Sequence, residues 1–144
     1  MHRFIRAATA AAAISLLALG GSATAANAAP AIPVNNGQET TGAEGGAHGK
    51  FSYTISGSQF CYTVTVTGLT TAAVAAHIHK APQGVAGGVV IPLVVPNETA
   101  FTTSGCTMVA DAMLLADIGD NPRDYYVNVH TPTYPGGEVR GQLK

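Results

Sequence analysis

Clustered positive charge is missing from this sequence. Its 144 residues carry seven Lys and Arg against eight Asp and Glu, a net charge of −1 with neutral histidines. Nucleic acids and anionic membranes are recognised through grouped Lys and Arg, so neither is an expected partner. A long apolar run is missing too: the apolar stretch over residues 7–19 falls short of the roughly 20 residues a bilayer-spanning helix needs. No cysteine directly follows that stretch, so lipidation as a bacterial lipoprotein is not available. There is no Gly-x-Ser-x-Gly elbow, no phosphate loop and no His-Glu-x-x-His. The carboxylates are scattered, and no two are spaced for paired acid–base work. A hydrolase is therefore disfavoured, and no catalytic residue is assigned. Internal repeats and a second domain are also absent from the pattern.

What is present begins with a leader. Residues 1–28 combine a basic start, a short apolar core and small residues ending in Ala26-Asn27-Ala28, the layout of a secretory signal peptide. Cleavage is expected after Ala28, with Ala23-Thr24-Ala25 as a second site, and the product is expected to be secreted, with no membrane anchor. Loss of Arg3 and Arg6 leaves five cations against eight carboxylates, a charge of −3. Residues 29–47 mix Pro, Gly and polar residues without periodicity and read as a flexible leader. Residues 48–144 form the domain. Its only two cysteines, Cys61 and Cys106, are most simply a disulfide in an exported chain. Closing a loop of about 46 residues is worth at most about 4 kcal/mol in the chain-entropy model.

The domain alternates at the two-residue period of β-strands. Phe51, Tyr53 and Ile55 alternate with polar residues, Gly57-Ser58 makes a turn, and Phe60, Tyr62, Val64 and Val66 continue on the return: a hairpin. Further strands are expected over residues 74–79, 89–95 (with Pro92 marking an edge or bulge) and within 99–109. One short helix is expected over residues 111–118, with Asp111 as N-cap and Gly119 and Pro122 ending it. The last segment reads as a hairpin, with Tyr125 to His130 outward, a turn over residues 131–137, and Glu138 to Leu143 returning. Together these predict an all-β, antiparallel, Greek-key-like sandwich or barrel with one short helix.

The final hairpin has an apolar face, Tyr125, Val127 and Val129, and a polar one offering Asn128, His130, Glu138 and Arg140. His77 and His79 stand two apart on a predicted strand, so both imidazoles share a face. His130 is the natural third ligand for a surface or rim site binding Zn or Cu. The competing reading has the same imidazoles hydrogen-bonding across the sheet to Asn128, Glu138 or backbone carbonyls. Glu138 and Arg140 share a face and are placed to pair with one another or with a neighbour, and such surface pairs contribute little. Gly136, Gly137 and Gly141 mark positive φ or close strand approach rather than a phosphate cradle. His48 is expected to be solvated. Asn97-Glu98-Thr99 is a glycosylation sequon, discounted because the Ala-rich leader looks bacterial.

Several segments together resemble the CHRD domain, named after chordin. They are Ala76-His77-Ile78-His79-Lys80-Ala81-Pro82, Leu114-Leu115-Ala116-Asp117-Ile118, Tyr126-Val127-Asn128-Val129-His130-Thr131 and Pro135-Gly136-Gly137-Glu138-Val139-Arg140-Gly141-Gln142. The resemblance spans roughly residues 47–143. It implies an extracellular all-β module without established catalysis. The expected function is a secreted, non-enzymatic binding or structural module with an extracellular protein or polysaccharide partner and no required cofactor. The alternative is an extracellular Cu or Zn protein, redox-active in one form, built on His77, His79 and His130. His-x-His on a strand, a disulfide and a C-terminal Arg are also similar to copper–zinc superoxide dismutases. Their dinuclear centre needs six histidines, and four remain here after residue 28.

Overall fold

The computed structural model describes residues 30–144; the expected signal peptide and its cleavage point lie outside them. Eight strands form one sheet: β1 (Ile32–Asn35), β2 (His48–Ser56), β3 (Gln59–Thr67), β4 (Ala75–Lys80), β5 (Gly88–Leu93), β6 (Phe101–Met108), β7 (Tyr125–His130) and β8 (Val139–Gln142). The spatial order is β5-β4-β7-β8-β1-β2-β3-β6, every neighbour antiparallel. The sheet curls into a nearly closed barrel, which settles the choice between sandwich and barrel. Its two edge strands meet through side chains: Thr107 Oγ1 donates to the Pro92 carbonyl at 3.0 Å. The Tyr62 hydroxyl donates to the Val94 carbonyl at 3.0 Å and accepts from the Val94 N–H at 2.6 Å.

Alternation decides what goes inside. Phe51 on β2, Phe60 and Val64 on β3, Ile78 on β4, Ile91 on β5 and Tyr125 and Val127 on β7 are fully buried, each worth about 1.5–3 kcal/mol of transfer free energy. The one α-helix among the described residues, α1 (Ala112–Asp120), starts where Asp111 accepts from the N–H groups of Met113 and Leu114, as a capping carboxylate does, and it buries Leu115 and Ile118. Cys61 and Cys106 lie directly opposite in the β3–β6 register and are bonded.

Part of the expected flexible leader is instead strand. Ile32 and Val34 are buried and β1 is inserted between β2 and β8. Four residues are too few for a visible period, and Pro33 argues against a central strand. It fits because β1 meets β8 only through Asn35 and Arg140, so the N–H that proline lacks is not needed there. The residues after β1 then cross the outside of β7 and β8. Asn36 Nδ2 donates to the Glu138 carbonyl, Thr41 Oγ1 to the Gly137 carbonyl, and Tyr134 Oη accepts from the Glu44 N–H. This strap is one of three coverings that turn an outward sheet face into an interior.

Candidate metal centre

The outer face of β4, β7 and β8 carries His77 and His79, then Tyr126, Asn128 and His130, then Arg140 and Gln142, as the two-residue period requires. The strap, the loop over residues 81–87 and the turn over residues 131–137 lie on top of it. All six residues of β7 are buried in consequence. The polar face is enclosed, and these loops bring hydrogen-bonding groups to most of it, leaving Asn128 Oδ1 and Arg140 Nε without a partner.

Three imidazoles meet there. His77 faces Asn128 and Ala75 faces His130 in the register, which sets His130 diagonally against His77. His77 Nδ1 lies 2.9 Å from His130 Nε2, and His79 Nε2 lies 3.4 Å from the same atom. One ligand nitrogen from each ring falls within 4.8 Å of the others. A β-bulge between Ile78 and His79 shifts the β4–β5 register at this point; such bulges re-aim side chains beside functional sites. His79 and His130 are only 6% and 8% exposed, while His77 is half-buried. The expectation of a surface or rim site is therefore corrected to a mostly buried one, reached from the His77 side.

The outer nitrogens are fixed by backbone. His79 Nδ1 lies 2.9 Å from the Gly87 carbonyl and His130 Nδ1 lies 3.0 Å from the Pro135 carbonyl. A carbonyl only accepts, so both Nδ1 atoms carry the proton and both Nε2 atoms are lone pairs in the neutral ring. Burial holds the rings neutral. It lowers His130 from 6.5 to about 4, with His77 and His79 adding like-charge repulsion. His77 and His79 are lowered as well, again first by burial. Of the three facing nitrogens only His77 Nδ1 has a proton to offer, to His130 Nε2, which leaves the His79 Nε2 lone pair pointed at another lone pair. Two fixed acceptors and one donor form a proton-poor cluster whose nitrogens could hold a metal ion. Backbone carbonyls holding ligand tautomers are the usual outer shell of a metal site.

A layer of stacked groups backs His79. Its ring stacks on Tyr126 at 4.9 Å and 10°, and the Arg140 guanidinium lies 3.4 Å from the Tyr126 ring centre on the far side. Arg140 is 1% exposed and donates to the carbonyls of Val85 and Pro82 and to Gln142 Oε1. It does not pair with Glu138, whose buried carboxylate accepts from the Thr70 N–H and hydroxyl at 2.6 and 3.0 Å and from the Thr131 hydroxyl at 2.6 Å. Of the two pairings open to them, each takes neighbours rather than the other: the turn over residues 131–137 carries Thr131 to the glutamate and the 81–87 loop carries its carbonyls to the arginine. Asn128 donates to Glu39 Oε1 at 2.7 Å. Burial pushes Glu39 up to about 7, against the pull of Arg140.

His77, His79 and His130 are therefore brought together; Asn128 and Arg140 line the same layer, and Glu138 anchors its end. His48 is exposed, away from the cluster. Gly137 has φ +129, and a Cβ there would come within 2.2 Å of the Asn128 amide, the close approach expected of it. Tyr126 was legible as a member of the outward set, though nothing in the alternation marked its stacking. Glu39 gave no signal: it lies 89 positions before Asn128 in an aperiodic stretch.

A family model of the CHRD domain matches residues 24–143, nearly the whole chain. No curated protein and no solved structure matches it.

Proposed function

The chain belongs to the CHRD domain family, and from that premise we propose that it is an exported binding module whose ligand is a transition-metal ion, Cu or Zn, held by His79 Nε2, His130 Nε2 and, once its proton has moved to the solvent-facing Nε2, His77 Nδ1. The proton-poor nitrogen cluster carries this reading. A four-coordinate ion with bonds of about 2.0–2.1 Å sets its nitrogens roughly 3.3–3.4 Å apart. The His77–His130 and His79–His130 separations of 2.9 and 3.4 Å lie near that value, and with all three nitrogens within 4.8 Å of one another the rings close onto an ion by drawing His77 and His79 together. Imidazoles suit Zn and Cu, whereas Mg and Ca want oxygen ligands. Export is supported by the disulfide, which fits an oxidising compartment, and by the leader's composition. Among the described residues no helix is long and apolar enough to cross a membrane.

The test is metal content by mass spectrometry on untagged protein, with Cu(II) and Zn(II) titrated into wild type and into a His77→Ala/His79→Ala/His130→Ala variant. Near-stoichiometric binding in wild type, lost in the variant while its metal-free fold persists, is the expected result. Equal binding in both would refute the site. The search would then turn to an extracellular protein or polysaccharide as the module's ligand.

A further inference from the structure

We propose that the ion held by these three histidines keeps one coordination position for a small exogenous anion, making the centre an anion-binding site; this rests on the metal reading above. The cluster supplies three nitrogens and no carboxylate, and Zn and Cu centres with three protein ligands complete their shell with a water or another small ligand. All three ligands are neutral imidazoles, so the ion keeps its full charge. The carboxylates of the same covered face are committed elsewhere: Glu138 to Thr70 and Thr131, and Glu39 to Asn128. Arg140 adds a further buried cation behind Tyr126. A buried positive centre without a counter-charge is costly, and an anion on the ion removes that cost.

Access and size follow from the same geometry. His79 and His130 are locked from behind by the Gly87 and Pro135 carbonyls, so the free approach is past the half-buried His77. Pro92 pairs with His77 and Val89 with His79 on β5, and both are exposed. They give that approach a short apolar rim with no added charge, suited to a monodentate anion such as hydroxide, azide or cyanide. Binding is ligand exchange: the anion donates a lone pair to the ion and a water leaves, with no electron transferred and no bond within the anion broken.

The experiment uses the purified chain loaded with one equivalent of Cu(II), its metal content measured before and after titration with sodium azide. The expected result is a saturable azide-to-copper absorption band with a matching change in the Cu(II) electron paramagnetic resonance spectrum, reversed when azide is dialysed away, with copper retained. Copper retained and both spectra unchanged in a large excess of azide would mean a filled coordination shell and would overturn the inference while leaving the metal site standing. Failure to load copper or any other transition ion would remove the metal reading and this inference with it. The metal analysis tells the two failures apart.

Discussion

Glu39→Gln tests which of two opposing effects rules the covered face. Burial raises the Glu39 carboxyl from 4.5 to about 7, although Arg140 pulls it the other way. A carboxyl raised on folding binds its proton more tightly in the folded state. Its stabilising contribution is present below pH 4.5 and is lost as pH rises through about 7. The full gap is worth at most about 3 kcal/mol, and partial exposure of the side chain reduces this to roughly 1–2 kcal/mol. Glutamine mimics the protonated acid and keeps an oxygen for the Asn128 amide, which donates to Glu39 at 2.7 Å. Urea unfolding of metal-free protein should therefore give equal stabilities for wild type and variant near pH 4.5. Above pH 7 the variant should be more stable by about 1–2 kcal/mol, a rise of roughly 4–8 °C in Tm for a domain of this size. A variant less stable than wild type above pH 7 would refute the reasoning: attraction to the buried Arg140 guanidinium would then outweigh desolvation.

His130 should act in the opposite sense. Its lowered value means that stability is intact above pH 6.5 and falls by up to about 3 kcal/mol as the pH drops toward 4, and His130→Gln should flatten that limb in metal-free denaturation curves. Replacing both Cys61 and Cys106 by Ser opens a bridge between residues 45 apart in sequence; a loss of about 2–4 kcal/mol in urea unfolding is expected. Gly137→Ala places a Cβ against the Asn128 amide at positive φ. It should cost on the order of 2 kcal/mol, and amide hydrogen exchange should show the β7–β8 turn loosening first.

The three histidines differ in how readable they are. His77 and His79 announce themselves, because a spacing of two on a strand puts both on one face whatever the register. His130 is visible as a polar member of an alternating strand, yet only the β4–β7 pairing sets it against the other two. The protonation pattern of the cluster depends on the Gly87 and Pro135 carbonyls, contributed by loops whose conformation no periodicity encodes. Glu39 and β1 are the converse case: a four-residue strand with a proline inside it offers no pattern, and the order of this segment comes from contacts with β2, β8, Asn128 and the 131–137 turn.

Read from the chain alone, alternation over residues 51–67 and 125–143 determined antiparallel strands and their inner faces. Capping chemistry determined the helix start at Asp111, and cysteine count and the leader pointed to the disulfide. These are local signals: side-chain direction in a strand and hydrogen bonding at a helix end need only neighbours in sequence. Barrel closure, the burial of the outer face and the meeting of three imidazoles were decided by tertiary structure alone. They depend on strand order and on loops bringing carbonyls, hydroxyls and the Glu39 strap from as far as 104 positions away, and it is that long-range covering which turns a polar strand face into an interior that gathers three imidazoles.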